Sequence, residues 1–168
     1  IGAMQNVDVV VETAKLMQDE EDVHFHIFGD GMYKERLQHE AEGLSNISFW
    51  PMQPSELAPS IYAMADVNVV HLAPNIYRTA LPSKTATCIA CQKPIIFCIG
   101  NDSKFGRLMS SEPGFYVLGS CEADKLVDTI KELKNNRAIT DNSILYKKAF
   151  SRTANSKHYA ELIVGGRL

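Results

Sequence analysis

The sequence has no long hydrophobic run: none approaches the roughly 18 apolar residues that a membrane-crossing helix needs. It has no excess of basic charge. Lys and Arg number 17 against 20 Asp and Glu, a formal net charge of −3. A nucleic-acid footprint is normally basic, so nucleic acid is not an expected partner. A second Cys-x-x-Cys pair is also absent. The four cysteines are Cys88, Cys91, Cys98 and Cys121. A zinc ribbon needs two such pairs, and a redox pair belongs at the start of a helix after a strand. Cys88-Ile-Ala-Cys91 falls inside or at the end of a short helical stretch, so packing as small apolar groups is expected, in a reducing cytoplasmic compartment. The opening residues, Ile1 to Gln5, lack the charged leader and apolar core of a signal peptide. No repeat or low-complexity segment is present.

What is there reads as one globular unit. The 168 residues are 45% hydrophobic and 22% charged, near the averages for a folded domain. Helical and strand periods alternate along the chain. Helices are expected over 6–17, 33–42 (ended by Gly43), 55–64, 84–91, 103–110 and 122–134. Strands are expected over 23–28, 47–50, 67–72, 94–99 and 115–118. A mostly helical tail follows over 139–163. The division expected is a sheet domain over 1–136 and a helical tail over 137–168. Strands alternating with helices imply an α/β, Rossmann-like, doubly wound parallel sheet with helices on both faces. The apolar runs at 67–72 and 94–99 suit strands buried on both sides.

In such a sheet ligands bind beyond the carboxyl ends of the strands, where strand order reverses. Chemistry is therefore expected in the loops at Gly29-Asp30-Gly31, at 50–54, at 73–84 and at 100–103. Pro82-Ser83-Lys84 is the most pointed of these. It is either an ordinary loop-to-helix turn with Lys84 in solvent, or a helix start that presents backbone N–H groups and an ammonium to a phosphate. Gly29 and Gly31 either serve a strand-to-helix turn that needs positive φ or let the backbone come close to a ligand. Asp30 reads as a cap for the helix after it. His24 and His26 share one strand face. Without a third ligand they read as buried histidines, each with a hydrogen-bond partner. Asp19-Glu20-Glu21-Asp22 reads as a solvated turn.

The order of these features resembles the C-terminal, donor-binding domain of family-4 retaining glycosyltransferases, which have the two-domain GT-B fold. The branch it resembles builds capsule and lipopolysaccharide. The stretches that carry the resemblance are Ile1-Gly2-x-x-Gln5-Asn6-x-Asp8, Phe25-His26-Ile27-Phe28-Gly29-Asp30-Gly31 with Glu35-Arg36-Leu37, Asn46-Ile47-Ser48-Phe49 with Ser55-Glu56-Leu57, Ala65-Asp66-Val67, and Pro82-Ser83-Lys84 followed by Ala90-Cys91-Gln92-Lys93-Pro94-Ile95-Ile96.

The resemblance implies a nucleotide diphospho-sugar as the donor substrate and no metal or other cofactor. It places Gly2, Gln5, Gly29, Gly31, Ser83, Lys84, Thr85 and Thr87 around the donor and its phosphates. Met52 and Gln53 fall in the family's base-recognition loop, although a plain strand-to-helix connection reads equally well there. The family's Glu-x7-Glu carboxylates would stand at Thr79 and Thr87, so both are replaced and the catalytic residues are unknown. Arg78 reads as solvated, or as a partner for a phosphate or an acidic sugar.

The resemblance further implies a chain without the first central strand and without the N-terminal acceptor-binding domain, inactive alone. The tail would be the helix that returns toward that domain. A lipid-linked acceptor would bring the enzyme to the inner face of the cell membrane. A minor alternative has the terminal stretch from Leu162 filling the central strand position. Two rival functions remain open: a non-catalytic relative, favoured by Thr79 and Thr87, and another GT-B enzyme such as a nucleotide-sugar epimerase.

Overall fold

The computed structural model describes residues 1–73, 76, 82–100, 102–119, 121–136 and 141–164. A short 3-10 turn, Ala3–Gln5, leads into α1, Asp8–Leu16. Then follow β1 (Phe25–Phe28), α2 (Lys34–Glu40), β2 (Ile47–Trp50), α3 (Ala58–Met64), β3 (Asn68–His71), α4 (Thr85–Ala90), β4 (Ile95–Cys98), α5 (Lys104–Ser110), β5 (Phe115–Leu118) and α6 (Ala123–Asn135). The tail has a single helical turn α7 (Ser143–Leu145), a π-helical turn (Tyr146–Phe150) and α8 (Arg152–Val164).

All strand pairs are parallel. β1 pairs with β2, Phe25 opposite Ile47. β3 pairs with β4 and β4 with β5, so Asn68, Ile95 and Phe115 lie side by side. Among the described residues the two sheets share no strand pairing. The segment 1–5 joins them. Tyr33 N–H donates to the Ile1 carbonyl (3.3 Å), and Ala73 N–H donates to the Met4 carbonyl (2.9 Å). The carboxyl ends of β1 and β3 therefore lie on either side of this segment, and strand order reverses between them.

β4 explains why 94–99 is apolar throughout. Ile96 and Cys98 face Leu126 and Leu133 of α6. Ile95, Phe97 and Ile99 face Cys88, Ile89 and Met109 on the other side. Each side chain of that size, once fully buried, stabilises by about 1.5–3 kcal/mol. Phe97 also meets Phe105 and Phe115 edge-on, at 5.7 and 5.4 Å between centroids. Helices thus cover both faces of this sheet. α6 reaches further, because its Val127 and Ile130 also pack on the core of α1, β1 and α2.

Several expectations need correction. His24 and His26 are exposed, because no described helix packs on that face of the first sheet. They do find partners: His24 Nε2 lies 2.8 Å from Ser48 Oγ, and Trp50 Nε1–H donates to His26 Nδ1 at 3.0 Å. In the stretch expected to be helical over 55–64, Leu57 and Met64 are 47% and 60% exposed, since α3 packs on α4 with its other side. Glu20 and Asp22 are not merely solvated. Both accept from Lys134 of α6, at 2.8 and 2.5 Å. The stretch from Leu162 does not enter a sheet as far as Val164, since these residues end α8.

Candidate functional site

The site is built outward from the segment 1–5. Gly2 N–H donates to Gln5 Oε1 at 2.9 Å, so the Gln5 side chain folds back over its own turn. Gly2 has φ −148°, an extended conformation open to any residue. The Ile1 backbone lies against the loop after β1. A Cβ on Gly31 would sit 2.3 Å from the Ile1 carbonyl oxygen, and Gly31 has φ +147°. Gly31 thus has the positive φ that the turn reading requires. The backbone that approaches it belongs to this chain. Gly29 has φ +136°, with Ile1 and Met52 side chains in ordinary contact.

Asp30 does not cap α2, whose N-cap is Tyr33. It cross-links loops instead. Oδ2 accepts from Met52 N–H at 2.9 Å, and Oδ1 pairs with Lys34 Nζ at 2.6 Å. The Lys34 ammonium and that amide hold the Asp30 carboxyl below the usual carboxylate range. The same bond uses the Met52 amide, one of the groups expected to meet a base. The Gln53 side chain donates to the Pro51 carbonyl at 3.1 Å.

Across the reversal point, His71 ends β3. Its Nδ1 hydrogen bonds to the Gln5 carbonyl. A carbonyl only accepts, so Nδ1 carries the proton and the neutral ring leaves Nε2 unprotonated. Burial and the nearby Lys84 ammonium push the His71 pKa down to about 4. Lys84 stands at the N-cap of α4, and it and Ser83 are exposed.

Thr85 departs from its expected role. Its N–H donates to the Pro82 carbonyl at 3.0 Å, and its side chain is buried with Oγ1 unpartnered. The first turn of the helix must be closed, and that uses the amide expected to meet a phosphate. Thr87 is half-buried. Arg78 and Thr79 lie outside the described residues. Cys88 is buried, and burial pushes its thiol up to about 12; Cys91 Sγ–H donates to the Pro59 carbonyl. This pair packs as expected.

The structure therefore brings Gly2, Gln5, Gly29, Gly31 and Met52 together at one end of the sheets, and the Lys84 ammonium is near enough to depress the His71 pKa. Sequence reasoning missed His71. A polar residue inside the largely apolar run at 67–72, near a strand's carboxyl end, was the available signal.

The family profile described as glycosyl transferases group 1 matches residues 1–136. The chain belongs to the group 1 glycosyltransferases. WcaI of Escherichia coli (strain K12), named as a putative colanic acid biosynthesis glycosyl transferase, is 30% identical over 119 residues, which are 70% of this chain and 29% of the relative. Two crystal structures of Anabaena Alr3699/HepE share the fold. The complex with UDP and glucose superposes with a TM-score of 0.79 at 15% identity, covering 97% of this chain and 45% of the other. The complex with UDP-glucose gives 0.77 at 14% identity, covering 98% and 46%. This chain thus spans under a third of WcaI and under half of HepE. Among its described residues, no helix is long and apolar enough to cross a membrane.

Proposed function

We propose that this chain is the donor-binding, C-terminal half of a family-4 retaining GT-B glycosyltransferase. In this reading it holds a nucleotide diphospho-sugar while a hexosyl group is transferred during bacterial surface polysaccharide synthesis. The observation that carries the reading is the junction at the reversal point. The Gly2–Gln5 turn, His71 and Lys84 converge where an α/β sheet binds its ligand.

The leaving group would be the nucleoside diphosphate, whose negative charge grows as the sugar departs. Lys84, exposed at the start of α4, would be the cation that stabilises that charge. It would act with the backbone of Ser83 and the Gly2 turn, but without the Thr85 amide, which is already used. No metal is needed in this scheme. An acceptor-binding domain in the same protein would complete the cleft. A lipid-linked acceptor would hold the enzyme at the cytoplasmic face of the membrane. The name of WcaI and the UDP-sugar in the HepE structures support this reading.

The test is calorimetric titration with UDP, GDP and ADP, with and without magnesium. Binding of one nucleotide without metal, weakened in Lys84→Ala, is expected. Equal affinity in Lys84→Ala would remove Lys84 from the site. A second reading, a non-catalytic donor-binding relative, is favoured by the neutral Thr87 at a family carboxylate position. Sugar transfer by the full-length protein would exclude it.

A further inference from the structure

We propose that His71 is a positioning residue of the donor site. Its Nδ1–H holds the Gln5 carbonyl and so fixes the Gly2–Gln5 turn over the end of β3, beside Lys84. This deepens the donor-site reading and rests on it.

The turn has few other ties. On one side Tyr33 N–H and the Asp30 carbonyl hold Ile1. On the other, Ala73 N–H holds the Met4 carbonyl. Inside the turn, the Gln5 side chain is committed to Gly2 N–H. The Gln5 carbonyl is left as the handle by which β3 can grip the turn, and the His71 ring fills that role from the last residue of the strand. Because β1 and β3 share no pairing among the described residues, the grip also fixes the spacing of the two sheet ends. A neutral imidazole suits the place. It donates through a single fixed tautomer and adds no positive charge next to Lys84. The lowered basicity of the ring keeps it in that form at neutral pH.

The role requires a donor at the Nδ1 position and nothing of Nε2, which separates it from simple packing. Asn places an amide N–H near Nδ1; Gln places one farther out; Leu fills volume without a donor. The experiment compares His71→Asn, His71→Gln and His71→Leu with the wild type. It reads hydrogen exchange of the 1–7 segment and affinity for UDP, GDP and ADP. Melting temperatures identify any variant that fails to fold. With one hydrogen bond lost, His71→Leu and His71→Gln should exchange about tenfold faster in this segment and bind nucleotide about tenfold more weakly. His71→Asn should stay within about threefold of wild type on both readouts. Unchanged exchange in His71→Leu, or an Asn variant as impaired as the Leu variant, overturns the proposal and leaves the donor-site reading standing. A wild type that binds none of the three nucleotides overturns the donor-site reading, and the site role of His71 with it.

Discussion

Gly31→Ala tests the packing at the reversal point most directly. The added Cβ would lie 2.3 Å from the Ile1 carbonyl oxygen, 2.6 Å from its nitrogen and 2.8 Å from its carbonyl carbon. All three atoms are backbone, so no side chain can swing aside. Restoring an ordinary contact of about 3.5 Å displaces Ile1 by roughly 1 Å. That shift breaks the bond from Tyr33 N–H, already 3.3 Å, and the bond from the Ile1 nitrogen to the Asp30 carbonyl. At about 1 kcal/mol for a bond of this kind, the two together cost about 1–2 kcal/mol. Holding a non-glycine residue at φ +147° adds about 1–2 kcal/mol. The expected loss is about 3 kcal/mol, or roughly 6–12 °C in melting temperature for a chain of this size.

Gly43→Ala is the control. Gly43 has φ +85° with nothing within 4 Å of the added Cβ, so only the conformational cost of about 1 kcal/mol applies. Urea unfolding followed by circular dichroism measures both. Equal losses in the two variants, or a Gly31→Ala loss below about 0.5 kcal/mol, would refute the close approach of Ile1.

Other outcomes follow from the same structure. His71 has a folded pKa of about 4 against an ordinary 6.5, so the unfolded chain takes up its proton first. The stability it contributes is full above pH 6.5 and is lost as pH falls toward 4, up to about 3 kcal/mol. Urea midpoints across that window should fall less steeply in His71→Asn, and parallel curves would refute the assignment. Phe97→Ala should cost about 3–5 kcal/mol, because the ring is fully buried between Phe105 and Phe115. Chemical denaturation checks it, and a loss under about 1 kcal/mol would contradict the packing. Lys134→Ala should lower the melting temperature slightly at low salt and not at high salt, since its partners Glu20 and Asp22 are at the surface. A salt-independent loss would mean that the pairing is not what matters. β1 and β3 each have one strand partner among the described residues, so concentration-dependent self-association is expected in sedimentation velocity. A dilute monomer with a sharp cooperative melt would contradict it.

Much of the architecture was legible in the sequence because it is set by period. The apolar run at 94–99, only six residues long, suits a strand buried on both faces. The spacing of Leu126, Ile130 and Leu133 can only be one face of a helix. Gly29 and Gly31 announced a turn, and the order of short motifs announced the family. Local periodicity decides these things because each is a property of a few neighbouring residues.

The site depended on partners far apart in the chain. Asp30 looked like a helix cap, and its oxygens went to Met52 and Lys34. His24 and His26 looked buried, but which face of a strand is covered depends on where distant helices pack. Thr85 looked like a phosphate donor until the turn closed on Pro82. His71 gained its fixed tautomer only when folding brought it against Gln5, 66 residues away. Composition and spacing settle which elements form. Only the tertiary structure decides which polar groups those elements use up on one another and which remain for a ligand, because a hydrogen bond is made at about 3 Å and sequence separation carries no such distance.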